Sequence, residues 1–452
     1  MTDMFELYNS QRPMYFGDKQ GAGQAALLCG SVILPRKVPM EDLQSAANEV
    51  LRINNGLRTY FVEKDGKVYE DYKPFEEQRF EVKSFPNPEA MHAWARVYAT
   101  IPLKLDIRIE GTGVPKSEWQ KVRPSAELVK NVVLHESKMF FTKMRYGRLR
   151  RKPSCCELVL FELPEASGAI VKMHHVIGDA WSVVLVANQF LRVLKGETPK
   201  AYDYSEFVEA QKAYMNTRRF EKDRLFMEEQ MKKCPTPTWV WPNPYTNLEA
   251  SRRTVVMDED LTAGVRRYAA EHETTPYTIF LTAVCEWMRR KMDRDQFYVG
   301  SVLINRAGFK ERNTTGMFVR GMPLLMELDR DMSFAEALAY VWSVSIAGIR
   351  HQKGYRAPAD TKDYLYDVWV SYQDATLDVD PEALCTQYYC NYVIDTTIFS
   401  VEDRVGDGRY KLHFDHNCKV SEADVDELFS VVLSVLRDGL ADDSRKLGEL
   451  GS

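Results

Sequence analysis

The stretch MHHVIGDAWS, residues 173–182, holds the residue types best suited to catalysis. It places His174 and His175 side by side and Asp179 four residues later, in a chain with only eight histidines among 452 residues. Imidazole has a pKa of about 6.5 and can exchange a proton near neutral pH. A buried carboxylate is costly without a partner, so Asp179 needs one if it lies inside the protein. The stretch is a candidate site for proton transfer.

Two strands and a helix are predicted to position this stretch. The runs CELVLFEL and GAIVKMHH read as strands joined by the turn PEASG, and WSVVLVANQFLRVLKG has the apolar periodicity of a helix that ends at Gly196. Neighbouring side chains of a strand point to opposite faces, so only one of the two histidines can face an open cleft. The pattern favours one histidine for chemistry and one for support.

The remaining elements predict a mixed α/β chain with two halves of about equal size. The first half also contains a helix, PMEDLQSAANEVLRI, and the hairpin strands LRTYFVE and KVYEDY around the turn KDGK. The polar segment KGETPKAYDYSEF connects the halves, and three further helices and three further strands follow it. We therefore expect a first lobe at residues 1–196 and a second at residues 203–452.

Composition excludes several classes of function. The formal net charge of -5 gives no basic face for nucleic acid, and the longest apolar stretch, residues 25–35, is shorter than the roughly 18 residues of a membrane span. The N-terminus lacks the apolar core of a signal peptide. Eight cysteines without a CxxC pair indicate buried thiols, not a metal site. These features predict a cytoplasmic protein without a bound metal.

Several segments in the same order resemble the condensation-domain superfamily, the chloramphenicol-acetyltransferase-like acyltransferases that include condensation domains of nonribosomal peptide synthetases. HHVIGDAWS resembles the HHxxxDG motif, NNGLRTYF the early LRTxF segment, and YVGSVLINR the strand that ends in an Asn-Arg or Gly-Arg pair. TTGMFVRGMPLLMEL and HFDHN resemble later family segments. Ala180 replaces the glycine of the motif, and Arg320 replaces an asparagine. The departures concern the entrance of the active site.

The resemblance implies a fold and a reaction. The implied fold is α/β, with two chloramphenicol-acetyltransferase-like lobes in a V-shaped pseudo-dimer around a central tunnel. The implied reaction is attack of an amine on a thioester, with both substrates carried on phosphopantetheine arms. Such an enzyme needs no tightly bound cofactor, and the chain lacks the nucleotide-binding pattern GxxxxGK[ST] and the nucleophile pattern GxSxG.

The resemblance also implies roles for single residues. His175 would handle the proton, either as a general base or as an orienting hydrogen-bond partner, and His174 would point inward in support. Asp179 would pair with Arg306 in a structural bridge that fixes the loop. Four further residues are candidates for lining the channel: Ala180, Trp181, Ser182 and Gly316.

The start of the chain resembles a starter condensation domain. The condensation-like segment begins close to Met1, so we expect an acyl carrier protein or acyl-coenzyme A as the donor of a fatty acyl group, as in lipopeptide biosynthesis. The acceptor would be an aminoacyl group on a peptidyl carrier protein. The last residues, KLGELGS, resemble the end of such a domain before an adenylation domain. A monomer is expected, and a freestanding enzyme stays open.

Three alternatives stay open within the superfamily. An O-acyltransferase would use the same histidine on a hydroxyl, although the DFGWG segment of plant-type members is missing. An epimerisation domain fits poorly with the start of the chain. A non-catalytic condensation-like platform usually has a broken motif, whereas His174, His175 and Asp179 are present.

Overall fold

The chain forms two compact units in a computed structural model. The structure describes residues 4–20, 26–114, 126–145, 152–241, 249–356, 365–392, 397–403, 408–417 and 420–451. Unit 1 comprises Met1–Lys212, Ile304–Val319 and Ala375–Ile394. Unit 2 comprises Ala213–Leu303, Arg320–Asp374 and Asp395–Ser452.

The described strands and helices alternate along both units. The strands are β1 Phe5–Glu6, β2 Leu27–Leu34, β3 Thr59–Lys64, β4 Lys67–Tyr72, β5 Glu81–Ser84, β6 Ile107–Glu110, β7 Cys156–Glu162, β8 Ser167–His174, β9 Ala250–Val256, β10 Gln296–Leu303, β11 Arg320–Glu327, β12 Val368–Gln373, β13 Leu384–Tyr388, β14 Thr397–Glu402 and β15 Lys411–Asn417. The helices are α1 Gln11–Gln20, α2 Met40–Ile53, α3 Pro88–Thr100, α4 Ala126–Arg145, α5 Ala180–Leu194, α6 Tyr204–Met215, α7 Arg218–Lys233, α8 Glu259–Glu271, α9 Pro276–Met292, α10 Phe309–Arg312, α11 Phe334–His351 and α12 Glu422–Ala441.

Unit 1 is built around a sheet whose described strands have the order β13-β2-β8-β7-β5. Strand β8 is buried at every position and pairs antiparallel with β2, with His174 opposite Leu27. Helix α5 buries an apolar stripe that includes Val183, Val186 and Phe190 in the same core as β2 and β8. The end of β8 and the start of α5 are thereby held by packed elements on both sides.

A second sheet of unit 1 has the order β1-β4-β3-β6 among the described strands. Its central hairpin turns at Asp65 and Gly66, which both have positive φ angles of 50° and 78°. Two consecutive left-handed residues form the tight turn that matches the twist of a hairpin, and Asp-Gly suits it. The hairpin predicted from KDGK is confirmed.

Unit 2 has its own sheet, whose described strands follow the order β11-β10-β12-β14-β15-β9. Helix α9 is nearly all buried, and Trp287 in it is fully buried. Helices α11 and α12 contribute Phe334, Val432 and Leu436 to the same core. Unit 2 therefore has an independent hydrophobic core.

The mixed α/β class and the predicted helices and strands quoted above are confirmed, with one difference at the site. GAIVKMHH predicts a strand through His175, but β8 ends at His174 and a 3-10 turn, His175–Ile177, follows. The strand ends there because the Val176 N–H bonds to the His174 ring. Every helix in the described parts of the chain is too short or too polar to cross a membrane.

The boundaries of the two units differ from the predicted lobes, residues 1–196 and 203–452, because each unit contains more than one segment of the chain. Segment Ile304–Val319 joins unit 1, because Arg306 places its guanidinium among unit 1 groups. Segment Ala375–Ile394 also joins unit 1, because β13 adds to the edge of its sheet beside β2. The periodicity of apolar residues does not predict that a later segment of the chain packs with an earlier unit.

Candidate active site

His174 is a buried support of the turn that follows β8. Its side chain is fully buried, and its Nδ1 accepts a hydrogen bond of 3.1 Å from the Val176 N–H. Its backbone N–H donates to the Cys155 carbonyl at 2.8 Å. An Nδ1 that accepts leaves the proton of the neutral ring on Nε2. His174 thus fixes the backbone beside His175.

His175 begins the 3-10 turn and is partly exposed. Its backbone N–H donates to the Ala26 carbonyl at 2.7 Å. Within the described residues its Nδ1 is buried and has no hydrogen bond of normal geometry. Burial lowers the pKa of His175, while Asp179 and backbone groups of His175 and Gly178 oppose that shift. The neutral ring, which can accept a proton, therefore dominates at neutral pH.

Asp179 caps helix α5 and is fully buried. Its Oδ1 accepts hydrogen bonds from the Ser182 backbone N–H and hydroxyl, both at 2.9 Å, and from Arg306 Nη2 at 2.8 Å. Its Oδ2 accepts from the Phe318 N–H at 3.3 Å. A buried carboxylate with an opposite charge and several donors is compensated. Asp179 is committed to these partners within the protein.

Arg306 completes this arrangement from the segment after β10. Its side chain is fully buried, and its Nη1 donates to the carbonyls of Thr314, at 2.7 Å, and Glu311. Its Nη2 also donates to Ser182 Oγ at 3.0 Å and to the Gly316 carbonyl at 3.1 Å. The structure therefore brings Asp179 and Arg306 together in one network that spans residues 179–182 and 306–316.

Asn305 explains how the chain delivers Arg306. It has a left-handed φ of 49°, a conformation that asparagine tolerates better than most residues. Its side-chain amide donates to the Phe318 carbonyl at 3.1 Å, which closes the loop between β10 and β11. The Arg306 guanidinium carbon then lies 4.0 Å from the centre of the Phe318 ring. Sequence reasoning named Asn305 only as part of the Asn-Arg pair and missed its role in the turn, although an asparagine near the end of a strand is a turn signal.

Two of the four channel-lining candidates lie elsewhere than expected. Ser182 and Gly316 are buried, and they bond to each other as well as to Arg306. This differs from the prediction because their polar groups are taken up by the support of Asp179. Ala180 and Trp181 are partly exposed, and the Trp181 indole donates to the Arg312 carbonyl at 3.0 Å. They remain the channel-lining candidates.

The replacement of glycine by Ala180 has a simple local explanation. Ala180 is the first residue of helix α5, directly after the Asp179 cap. The first turn of a helix needs no left-handed residue, and alanine has the highest helix propensity. The departure from the family motif therefore fits the local backbone of this chain.

Gly316→Ala is expected to lower the free energy of unfolding by about 1–3 kcal/mol, because an added methyl overpacks a filled site. A Cβ at residue 316 would lie 2.1 Å from Tyr204 Cδ2, and the Tyr204 hydroxyl is held by the Met317 carbonyl at 2.6 Å. Urea unfolding followed by circular dichroism measures the loss. Gly264→Ala is the matched control, since its new methyl has no heavy atom closer than 3.9 Å. Equal midpoints for both variants would contradict the steric argument.

The comparisons with known proteins agree on one family. The family model described as Condensation domain matches residues 148–355. A plipastatin synthase protein of Bacillus subtilis is 25% identical over 300 residues, which cover 60% of this chain and 11% of that protein. Surfactin synthase subunit 1 of the same species is 22% identical over 298 residues, which cover 62% of this chain and 8% of that protein. The chain thus spans about a tenth of the length of these relatives.

Solved structures show the same fold over the whole chain. The first condensation domain of the calcium-dependent antibiotic synthetase, in complex with a substrate analogue, matches with a TM-score of 0.76 at 15% identity, covering 99% of this chain and 100% of that one. A mutant starter condensation domain of rhizomide synthetase, in complex with C8-CoA, matches with a TM-score of 0.75 at 14% identity, covering 100% and 98%. The predicted fold of two chloramphenicol-acetyltransferase-like lobes and the resemblance to condensation domains are confirmed.

Proposed function

We propose that this chain, a relative of the condensation domains of nonribosomal peptide synthetases, catalyses amide bond formation between a thioester-bound acyl group and the amine of an aminoacyl group on a peptidyl carrier protein. The observation that carries the proposal is a partly exposed histidine, His175, between a turn held by the buried ring of His174 and a helix start held by the buried Asp179–Arg306 ion pair. Amine attack on a thioester needs one proton acceptor, not a covalent nucleophile, because the acyl group is already activated.

The proposed reaction assigns the proton to His175. The amine nitrogen of the acceptor attacks the thioester carbonyl carbon, the carbon–nitrogen bond forms, and the carbon–sulfur bond breaks. His175 accepts a proton from the attacking amine, and that proton passes to the departing sulfur as the thiol. A ring whose pKa lies below its ordinary value is unprotonated and ready for this role near neutral pH. The alternative role, orientation of the amine without proton transfer, predicts a different mutant series.

The supporting roles follow from the contacts. His174 holds the backbone of the turn through Val176, and Asp179 with Arg306 holds the start of helix α5. We propose that these three residues position His175 and do not touch the substrate. Ala180 and Trp181 are the proposed contacts with a bound arm, since both are partly exposed next to the turn.

The donor is proposed to be a fatty acyl group on coenzyme A or on an acyl carrier protein, with no tightly bound cofactor. The likeness to a starter condensation domain in complex with C8-CoA supports an acyl-coenzyme A donor for this chain. A carrier protein loaded by an adenylation domain is the proposed acceptor. The chain would then act at the first step of a lipopeptide.

Incubation of the chain with acyl donors and a glycyl-loaded peptidyl carrier protein is expected to add one acyl mass to that carrier. Intact-mass spectrometry detects the gain for a panel of short, medium and long acyl-coenzyme A and acyl-carrier donors. A hydroxyacyl-loaded carrier is the control for the acceptor atom. Acylation of the hydroxyl alone would replace amide formation by O-acyl transfer. Binding of carriers without any mass gain would favour a non-catalytic platform.

A further inference from the structure

A buried polar cluster lies beneath the histidine turn. Gln11 of α1 is 0% exposed and Glu70 of β4 is 1% exposed. The Gln11 side-chain amide donates to Glu70 Oε2 at 2.6 Å and to the Val176 carbonyl at 2.9 Å. Its Oε1 accepts from the Tyr8 backbone N–H at 3.0 Å, which fixes the orientation of the amide. Gln11 therefore joins the Glu70 carboxyl to the residue that directly follows His175.

The count of hydrogens in the cluster favours a neutral Glu70. Thr59 Oγ1 lies 3.0 Å from Glu70 Oε1 and 2.8 Å from the Gly56 carbonyl, but a hydroxyl has one proton. If Thr59 donates to Gly56, a protonated Oε1 of Glu70 donates to Thr59, and each of these contacts has one donor and one acceptor. An ionised Glu70 would take the Thr59 proton, and the Gly56 carbonyl would lose this donor.

The electrostatic surroundings act in the same direction. Among the described residues, the titratable groups that influence Glu70, are influenced by it or line the same cavity are Asp203, Tyr72, Tyr204, Cys155, Asp71 and Glu209. None of them can carry a positive charge. Burial, with a smaller contribution from Asp203, raises the pKa of Glu70 to about 7 against the opposing hydrogen bonds of Gln11 and Thr59. The carboxyl is therefore protonated below neutral pH.

The cluster also adjoins the segment that carries Arg306. A Cβ placed on Gly56 would lie 3.0 Å from Thr315 Oγ1 and 3.3 Å from the Thr315 carbonyl oxygen, so Gly56 packs directly against Thr315. Thr315 precedes Gly316, whose carbonyl accepts from Arg306. A change in the Thr59–Gly56 hydrogen bond can therefore displace Thr315 and Gly316, which help to hold Arg306 beside Asp179. Gln11 acts on the His175 turn directly, through its hydrogen bond to the Val176 carbonyl.

We propose that Glu70 is a positioning residue for His175, which acts through Gln11 as a neutral carboxylic acid and whose ionisation loosens the turn. Its effect on turnover rests on the function proposed above. The protonation state of Glu70 does not rest on that function, and the pH dependence of stability measures it independently.

Glu70→Gln tests the proposal because glutamine keeps an acceptor for Gln11 and a donor for Thr59 but does not titrate. The ratio of kcat for Glu70→Gln to kcat for the unsubstituted chain is measured from about pH 6 to about pH 8.5. The ratio cancels the titration of the acceptor amine. It is expected to be near one at low pH and to rise at least about threefold above pH 7, as the carboxyl ionises. Glu77→Gln, on an exposed loop of the same unit, should give a flat ratio.

Stability supplies the independent readout. A carboxyl with a folded pKa of about 7 against an ordinary value of 4.5 takes up a proton on folding between these two pH values, so the unsubstituted chain loses stability as pH rises through this range. The melting temperature of Glu70→Gln relative to that chain is expected to rise over the same window. A difference in melting temperature that stays constant with pH would overturn the proposal that Glu70 is a neutral acid. A difference in melting temperature that rises with pH, together with a kcat ratio that does not change with pH, would overturn the positioning role. Absence of acylation with every donor would count against the proposed function alone.

A second variant covers the case in which Glu70→Gln does not fold. Gln11→Met has a similar length but removes the donor to the Val176 carbonyl. We expect a fall in kcat of about tenfold with an unchanged KM, because the turn is displaced while the arms still bind. An unchanged kcat, or a loss that appears only in KM, would overturn the positioning role.

Discussion

Asp179→Ala is expected to lower the free energy of unfolding by about 3–5 kcal/mol, because it leaves a buried guanidinium without its counter-charge. Asp179 and Arg306 are both 0% exposed, and their charged groups are 2.8 Å apart. The substitution also removes the acceptor of the Ser182 N–H at the start of helix α5, a cap that typically contributes about 1 kcal/mol. Urea unfolding of the purified chain, followed by circular dichroism, gives the loss.

A double-mutant cycle separates the ion pair from its surroundings. Arg306→Met removes the charge and keeps an apolar stem, and the double variant is expected to lose less than the sum of the single losses, because no unpaired charge remains. The exposed pair Arg253–Asp426 is the matched control, with side chains 50% and 66% exposed. Its removal should cost no more than about 1 kcal/mol. A loss for Asp179→Ala as small as that control would contradict the buried-charge argument.

Much of the fold follows from sequence because its elements have clear periods and ends. Strand β8 is mostly apolar with a single lysine at Lys172, helix α5 has an apolar stripe, and Asp179 stands at a cap position before it. The pairing of Asp179 with Arg306 came only from resemblance to a family, since 127 residues separate them. No local pattern specifies such a contact.

The residues that support the histidine turn and the Asp179 loop are harder to predict from the sequence than the two histidines. Glu70 left a signal, because the strand pattern Val68, Glu70, Tyr72 places a carboxyl on the face that its neighbours bury. Gln11 left none, since a glutamine at the start of a helix is usually solvated. The motifs predict that Ser182 and Gly316 line the channel, because both residues lie within them. Motif position does not distinguish a side chain that meets substrate from one that holds the loop.

His175→Gln is expected to lower kcat for acylation by about 10²–10⁴-fold, because an amide cannot accept the proton of the attacking amine. The fold should survive, since within the described residues His175 Nδ1 makes no hydrogen bond of normal geometry and the residue is partly exposed. The backbone bond from the His175 N–H to the Ala26 carbonyl does not depend on the side chain. His272→Gln, at an exposed histidine of unit 2, is the matched control.

The pH dependence distinguishes a proton acceptor from an orienting hydrogen-bond partner. Burial lowers the pKa of His175, so its neutral form predominates at neutral pH and is lost as pH falls below the ordinary value of 6.5. The ratio of kcat for the unsubstituted chain to that for His175→Gln, measured with the same carriers, should therefore change little above neutral pH and fall at a pH below the ordinary pKa of histidine. If His175→Gln keeps most of the rate while His175→Ala does not, hydrogen bonding suffices. The ring would then orient the amine, and the proton would leave by another route.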